Sequence, residues 1–193
     1  MNAHSTDPTQ WKLLILRLPA QPSRHRVAVW RELRRVGALS LGQGVWAVPE
    51  VPVFEAGVHR ALALAAQAPD GEALTLRATG GSARDGARLA ELFSAAREEE
   101  WAEFLADCGK YQEELEKEIR TRKFTLAELE EEEQSLERLR RWHRDIRSRD
   151  VFGAPSAEVA TSRLDHCADS LQEYSELVLA HLHAFDHPAD GPS

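Results

Sequence analysis

WKLLILRLPAQPSRHRVAVWRELRRVGALSLGQGVWAVP, residues 11–49, decides the fold. Trp11 to Leu18 is an almost unbroken apolar run, the pattern of a central strand covered on at least one face. Pro19 and Pro22 end it and set a turn. Ser23 stands where a helix N-cap is expected. After it, Val29, Trp30, Leu33 and Val36 recur at helical spacing and form the expected core face. Gly37 fits the C-cap. Two short β-rich runs, Leu39–Leu41 and Val45–Val48, then flank Gly42-Gln43-Gly44, the signature of a tight hairpin.

Working outward, residues 52–67 carry an apolar stripe on Val53, Phe54, Val58 and Leu62, with Pro52 placed for the first helical turn. Pro69-Asp70-Gly71 is a turn. Ala73 to Ala78 alternates Leu74 and Leu76 with Thr75 and Arg77, as a strand does. The order β-α-β-β-α-β is the ferredoxin-like split βαβ pattern. A winged helix competes, but that fold usually opens with helices, and this chain opens with its most apolar strand.

The second half reads as helix. Residues 83–121 place Trp101, Phe104, Leu105, Cys108, Leu115 and Ile119 on one stripe. Thr125 and Glu128 fit a capping box. The helix it opens presents Leu126, Leu129, Leu136, Leu139 and Ile146. After Gly153-Ala154-Pro155, a last helix turns Val159, Leu164, Cys167, Leu171, Tyr174, Val178 and Leu182 inward. The predicted fold class is therefore α+β: a ferredoxin-like βαββαβ domain over 11–80, then an antiparallel three-helix bundle over 83–185. The tails, 1–10 and 187–193, are expected to be disordered.

Charge divides along the same line. Residues 1–80 hold nine basic and six acidic side chains, whereas 81–193 hold fifteen and twenty-six, within a total of −8. The first half is permitted a nucleic-acid surface; the second is a poor one. No apolar run approaches the roughly 20 residues a membrane span needs. The opening MNAHSTDPTQ lacks a signal peptide's apolar core. A cytoplasmic protein without membrane contact is expected, with Cys108 and Cys167 as thiols.

Five arginines crowd the first helix. Arg24, Arg31 and Arg35 fall at i, i+7 and i+11, on one face. Arg34 flanks that face, and Arg26 lies in the first turn. A planar guanidinium matches phosphate, so Arg24, Arg26, Arg31, Arg34 and Arg35 form the candidate nucleic-acid or anion site. A solubilising outer face of an amphipathic helix would look the same, and both readings stay open. A second basic run, Arg138 to Arg149, sits at a helix C-terminus, with Glu128 and Glu130–Glu133 toward the N-terminus. Dipole matching and i,i+4 pairing account for it without a ligand.

Other constellations are weak. His181 and His183 fall on different sides of a helix, and His187 pairs with His183 only across its end, so no metal is expected. Both cysteines lie on apolar stripes, as small core residues do. No Ser/His/Asp order and no phosphate-cradling glycine loop is present. No catalytic residue, no cofactor and no enzyme activity is expected.

Long segments resemble a known family. Trp11 to Pro19, Pro22 to Leu33, Gly44-Val45-Trp46, Lys123-Phe124-Thr125 with Ala127 to Glu131, and Leu136 to Pro155 together look like the N-terminal region of the chromate-resistance regulators called ChrB. The resemblance runs over nearly all of 11–185. It implies a cytoplasmic transcription regulator acting on genes for a chromate efflux pump. The first domain is also similar to the central domain of PaaX-type repressors, and through it to a small CRISPR-associated nuclease. Such nucleases carry an aspartate at the end of the first strand, where this chain has Arg17-Leu18-Pro19, so a nuclease is rejected. Full-length ChrB-like proteins carry a further C-terminal chromate-resistance domain, which this sequence stops before. DNA is the expected partner, through the first helix, and a homodimer through a free sheet edge. The alternative is a non-enzymatic protein–protein interaction module without DNA contact.

Overall fold

A computed structural model of the chain describes residues 10–186. Of the expected tails, 1–10 and 187–193, all but Gln10 lie outside the described residues, and the Gln10 carbonyl accepts a hydrogen bond from Glu50 N–H at 2.8 Å. The elements run β1 (Trp11–Arg17), α1 (Ser23–Val36), β2 (Leu39–Gly42), β3 (Val45–Pro49), α2 (Pro52–Ala66), β4 (Glu72–Ala78), α3 (Ala83–Thr121), α4 (Leu126–Arg149) and α5 (Ala157–Asp186). The chain divides into two compact units, one ending at Ala96 and one beginning at Arg97. α3 begins in the first and continues in the second.

The four strands form one sheet in the order β2-β3-β1-β4, with every neighbouring pair antiparallel. This is the ferredoxin-like arrangement. β1 is central and apolar because it pairs on both sides: Leu14 faces Trp46 of β3 and Thr75 of β4. Leu14, Leu16, Trp46 and Val48 share one sheet face and are buried, as are Val29, Leu33 and Val36 of α1. Ile15, Leu74 and Leu76 share the other face, and all three stay exposed. Trp11 is fully buried against Phe93, ring centroids 5.8 Å apart and edge-on, and Phe93 in turn meets Phe54 of α2 at 5.9 Å.

Local chemistry explains the joins. Gly37 takes φ 82° after α1, and its N–H reaches the Arg34 carbonyl at 3.0 Å. Gly44 has φ 81°, and a Cβ there would lie 2.3 Å from the Leu16 carbonyl oxygen. That closeness lets Leu16 N–H donate to the Gly44 carbonyl at 2.8 Å, pinning the hairpin to β1. Ser23 does not cap α1: it is the first helical residue, and Pro22 holds the cap position without a side-chain cap hydrogen bond. Thr125 does cap α4, its hydroxyl accepting from Glu128 N–H at 3.3 Å. The Glu128 carboxylate lies against Lys123 Nζ at 3.5 Å instead of returning to the cap.

In the second unit, Trp101, Phe104, Cys108 and Leu115 of α3, Leu136, Leu139 and Ile146 of α4, and Cys167, Tyr174 and Val178 of α5 build one core. Two expected members are absent from it. Leu126 is 55% exposed in the first turn of α4, and Val159 is 57% exposed. Ala157 and Ala160 take the buried positions of that turn of α5, two residues before Val159 and one after it. Polar groups brace the chain break before α5. Trp101 Nε1 donates to Asp150 at 3.0 Å, Asp150 accepts Ala154 N–H at 2.9 Å, and Ser156 N–H donates to Glu98 at 3.1 Å.

Candidate nucleic-acid or anion interface

α1 lies with Val29, Leu33 and Val36 inward, which leaves its remaining circumference to solvent. The five candidate arginines are all exposed, but they are not equivalent. Arg35 makes a two-pronged bond to Glu32, Nε to Oε2 at 3.0 Å and Nη2 to Oε1 at 2.6 Å. Arg60 of α2 donates to the same Glu32 carboxylate at 2.8 Å. The Arg35 hydrogen bond, with Arg60 behind it, outweighs partial burial and holds Glu32 below the usual carboxylate range. Arg35 is thus largely neutralised. Arg24, Arg26, Arg31 and Arg34 make no ion pair among the described residues. Arg24 Nε approaches His25 Nε2 at 3.4 Å, a neighbour without negative charge.

Trp30 is the residue that periodicity misplaced. It was expected in the core and is 54% exposed. The inward stripe is already complete with Val29, Leu33 and Val36, and Trp46 of β3 is itself buried. Trp30 therefore stands at the edge of the stripe, with the Arg34 guanidinium 5.9 Å from its ring centroid, a cation–π contact. Trp30 and Val27 wall one side of an open groove of about 640 Å³ between α1, the end of β1 and the β2–β3 hairpin. Arg17 and Arg26 also line it. In the sequence Trp30 stands among Arg26, Arg31 and Arg34, but helical periodicity alone reads it as core.

Elsewhere the titratable groups serve packing. Cys108 and Cys167 are free and fully buried, and Cys167 Sγ lies 3.7 Å from the Cys108 carbonyl oxygen. The hydrogen bond with Cys167 and burial together push the Cys108 thiol well above its ordinary range. Arg163 acts on both thiols in the opposite direction, a nearby cation that the apolar stripe did not reveal. His143 contacts Thr161 Oγ1 at 3.0 Å and lies tilted against Trp101 and Phe104, and burial lowers its basicity. Among the described residues no cluster of three His, Cys, Asp or Glu is placed to hold a metal ion. His187 lies outside the described residues. No helix among them is long and apolar enough to cross a membrane.

The fold and site define an α+β protein in which a ferredoxin-like sheet carries a basic, aromatic-edged helix and is followed by a helical unit. The chain belongs to the ChrB N-terminal family: it matches the family described as "Protein ChrB, N-terminal" over residues 26–185. It is 31% identical over 110 residues to Protein ChrB of Cupriavidus metallidurans. That alignment covers 56% of this chain and 33% of the relative, so the chain spans about a third of that protein's length. No solved structure matches it.

Proposed function

We propose that this chain is a cytoplasmic, non-enzymatic transcription regulator linked to chromate resistance, and that it contacts DNA phosphates through α1. Membership of the ChrB N-terminal family supports the regulator class. The observation that carries the DNA reading is the set of four exposed arginines, Arg24, Arg26, Arg31 and Arg34, with no acidic partner among the described residues. An unpaired surface guanidinium keeps its charge for a ligand, and phosphate contacts of this kind release counterions. The test is fluorescence anisotropy with DNA from upstream of the chain's own gene at two salt concentrations. Binding that weakens with salt and is lost in Arg31→Glu/Arg34→Glu supports the reading. Absent binding at low salt, with the protein folded, removes it.

A second reading rests on a different surface. Ile15, Leu74 and Leu76 expose a shared apolar face beside the free edge strand β4, the kind of patch that marks protein contacts. A protein-interaction role, homodimerisation included, uses that face and needs no DNA. Light scattering of the intact chain and of Leu74→Lys/Leu76→Lys decides it: a dimer that dissociates in the variant supports self-association.

A further inference from the structure

We infer that the groove beside α1 is a binding site for a small organic anion with a flat, apolar body. Its volume of about 640 Å³ lies within the range of roughly 300–1,000 Å³ typical of small-molecule sites. Leu16, Val27, Trp30, Leu33 and Trp46 supply hydrocarbon and aromatic walls. Leu16, Leu33 and Trp46 are buried and fix the floor, while Trp30 and Val27 stay open to solvent at its side. An exposed indole face offers a flat partner a stacked contact and removes apolar area from water.

Charge selects an anion. Arg26 lines the groove without an acidic partner among the described residues, and Arg17 lines it with only a solvent-exposed pair to Glu72 at 3.3 Å, the weak kind. Among the described residues no acidic side chain lines the groove. Ser40 and Gln43 add neutral polar groups. A compact inorganic dianion is a poor match: it needs donors on every side, and most of this wall is hydrocarbon. One acidic group on an apolar ring system satisfies both halves of the lining.

The test needs no DNA, so it stands or falls apart from the reading of α1 as a DNA contact. Isothermal titration of the full chain with 2-naphthoate is expected to give saturable one-to-one binding. Affinity is expected to fall about tenfold for the neutral isostere 2-naphthamide and by a similar factor in Arg26→Ala, since each removes a charge-assisted hydrogen bond. Ser40→Phe, which places a ring in the groove from an exposed strand position, is expected to abolish it. Circular dichroism establishes that both variants are folded. No saturable binding by the wild-type chain overturns the inference, as does equal affinity for the amide, or affinity unchanged in both variants.

Discussion

Arg35 Nη2 lies 2.6 Å from Glu32 Oε1, and Arg60 Nε reaches the same oxygen at 2.8 Å. One carboxylate thus removes two cations from the basic surface of the first unit. Glu32→Gln is expected to release both, strengthening DNA binding and steepening its salt dependence by up to about two phosphate contacts. Arg35→Ala is expected to change binding far less than Arg31→Ala. The linkage has a definite sign. Glu32 has a depressed folded pKa, so its contribution is present above the ordinary carboxylate range and is lost as pH falls through the folded value. Chemical denaturation at pH 7 is expected to show Glu32→Gln less stable by about 1 kcal/mol, because both partners are exposed.

Trp30 and Trp101 make an internal comparison. Trp30 is 54% exposed and Trp101 is fully buried. Trp101→Ala is expected to cost about 3–5 kcal/mol in urea denaturation. Trp30→Ala is expected to cost under about 1 kcal/mol while removing the stacking wall of the groove. Equal losses would place Trp30 in the core after all.

Gly44 and Gly42 both have positive φ, 81° and 97°, but only Gly44 meets a wall. An added Cβ at Gly44 lies 2.3 Å from the Leu16 carbonyl oxygen, whereas at Gly42 it meets nothing within 4 Å. Gly42→Ala is expected to cost about 1 kcal/mol for the left-handed backbone alone. Gly44→Ala is expected to cost well beyond that and to loosen the Leu16–Gly44 hydrogen bond, read as faster hydrogen exchange at Leu16.

The strand order was legible because β1 announces a central position by lacking alternation, and Gly42-Gln43-Gly44 fixes β2 to β3. The helices of the second unit were legible from one repeating stripe each. What failed was the residue at the margin of a stripe. Trp30 and Val159 sit next to the buried Val29 and Ala160, and Leu126 lies one turn before the buried Leu129; an apolar side chain at such a place satisfies the 3.6 period whether or not a neighbour covers it. The arginine cluster was legible as a set, but the pairing of Arg35 with Glu32 and Arg60 depends on α2, 28 residues from Glu32 along the chain. Periodicity within α1 carries no trace of it. The groove was not legible, because its lining comes from three segments brought together by the sheet.

Glu132 on α4 gives the sharpest dependence on pH. It is 6% exposed, and burial, together with the charges of Glu114, Glu131, Glu118 and Glu128, pushes its carboxyl up to about 7. Glu118 is a second buried acid: it is 1% exposed, its Oε1 meets Lys123 Nζ at 3.2 Å, and its Oε2 has no hydrogen-bond partner among the described residues. Because the folded pKa of Glu132 is raised, the folded state binds the proton more tightly than the unfolded one. This group therefore destabilises the fold above about pH 7, and the penalty shrinks as pH falls toward the ordinary value of 4.5. Glu132→Gln carries the neutral shape at every pH. It is expected to be more stable than wild type by roughly 2–3 kcal/mol at pH 8, with the gap closing between pH 7 and 4.5. Parallel denaturation curves of the two proteins across that range check it. A gap constant with pH would mean that the amide gains by packing and that the carboxyl titrates in the ordinary range.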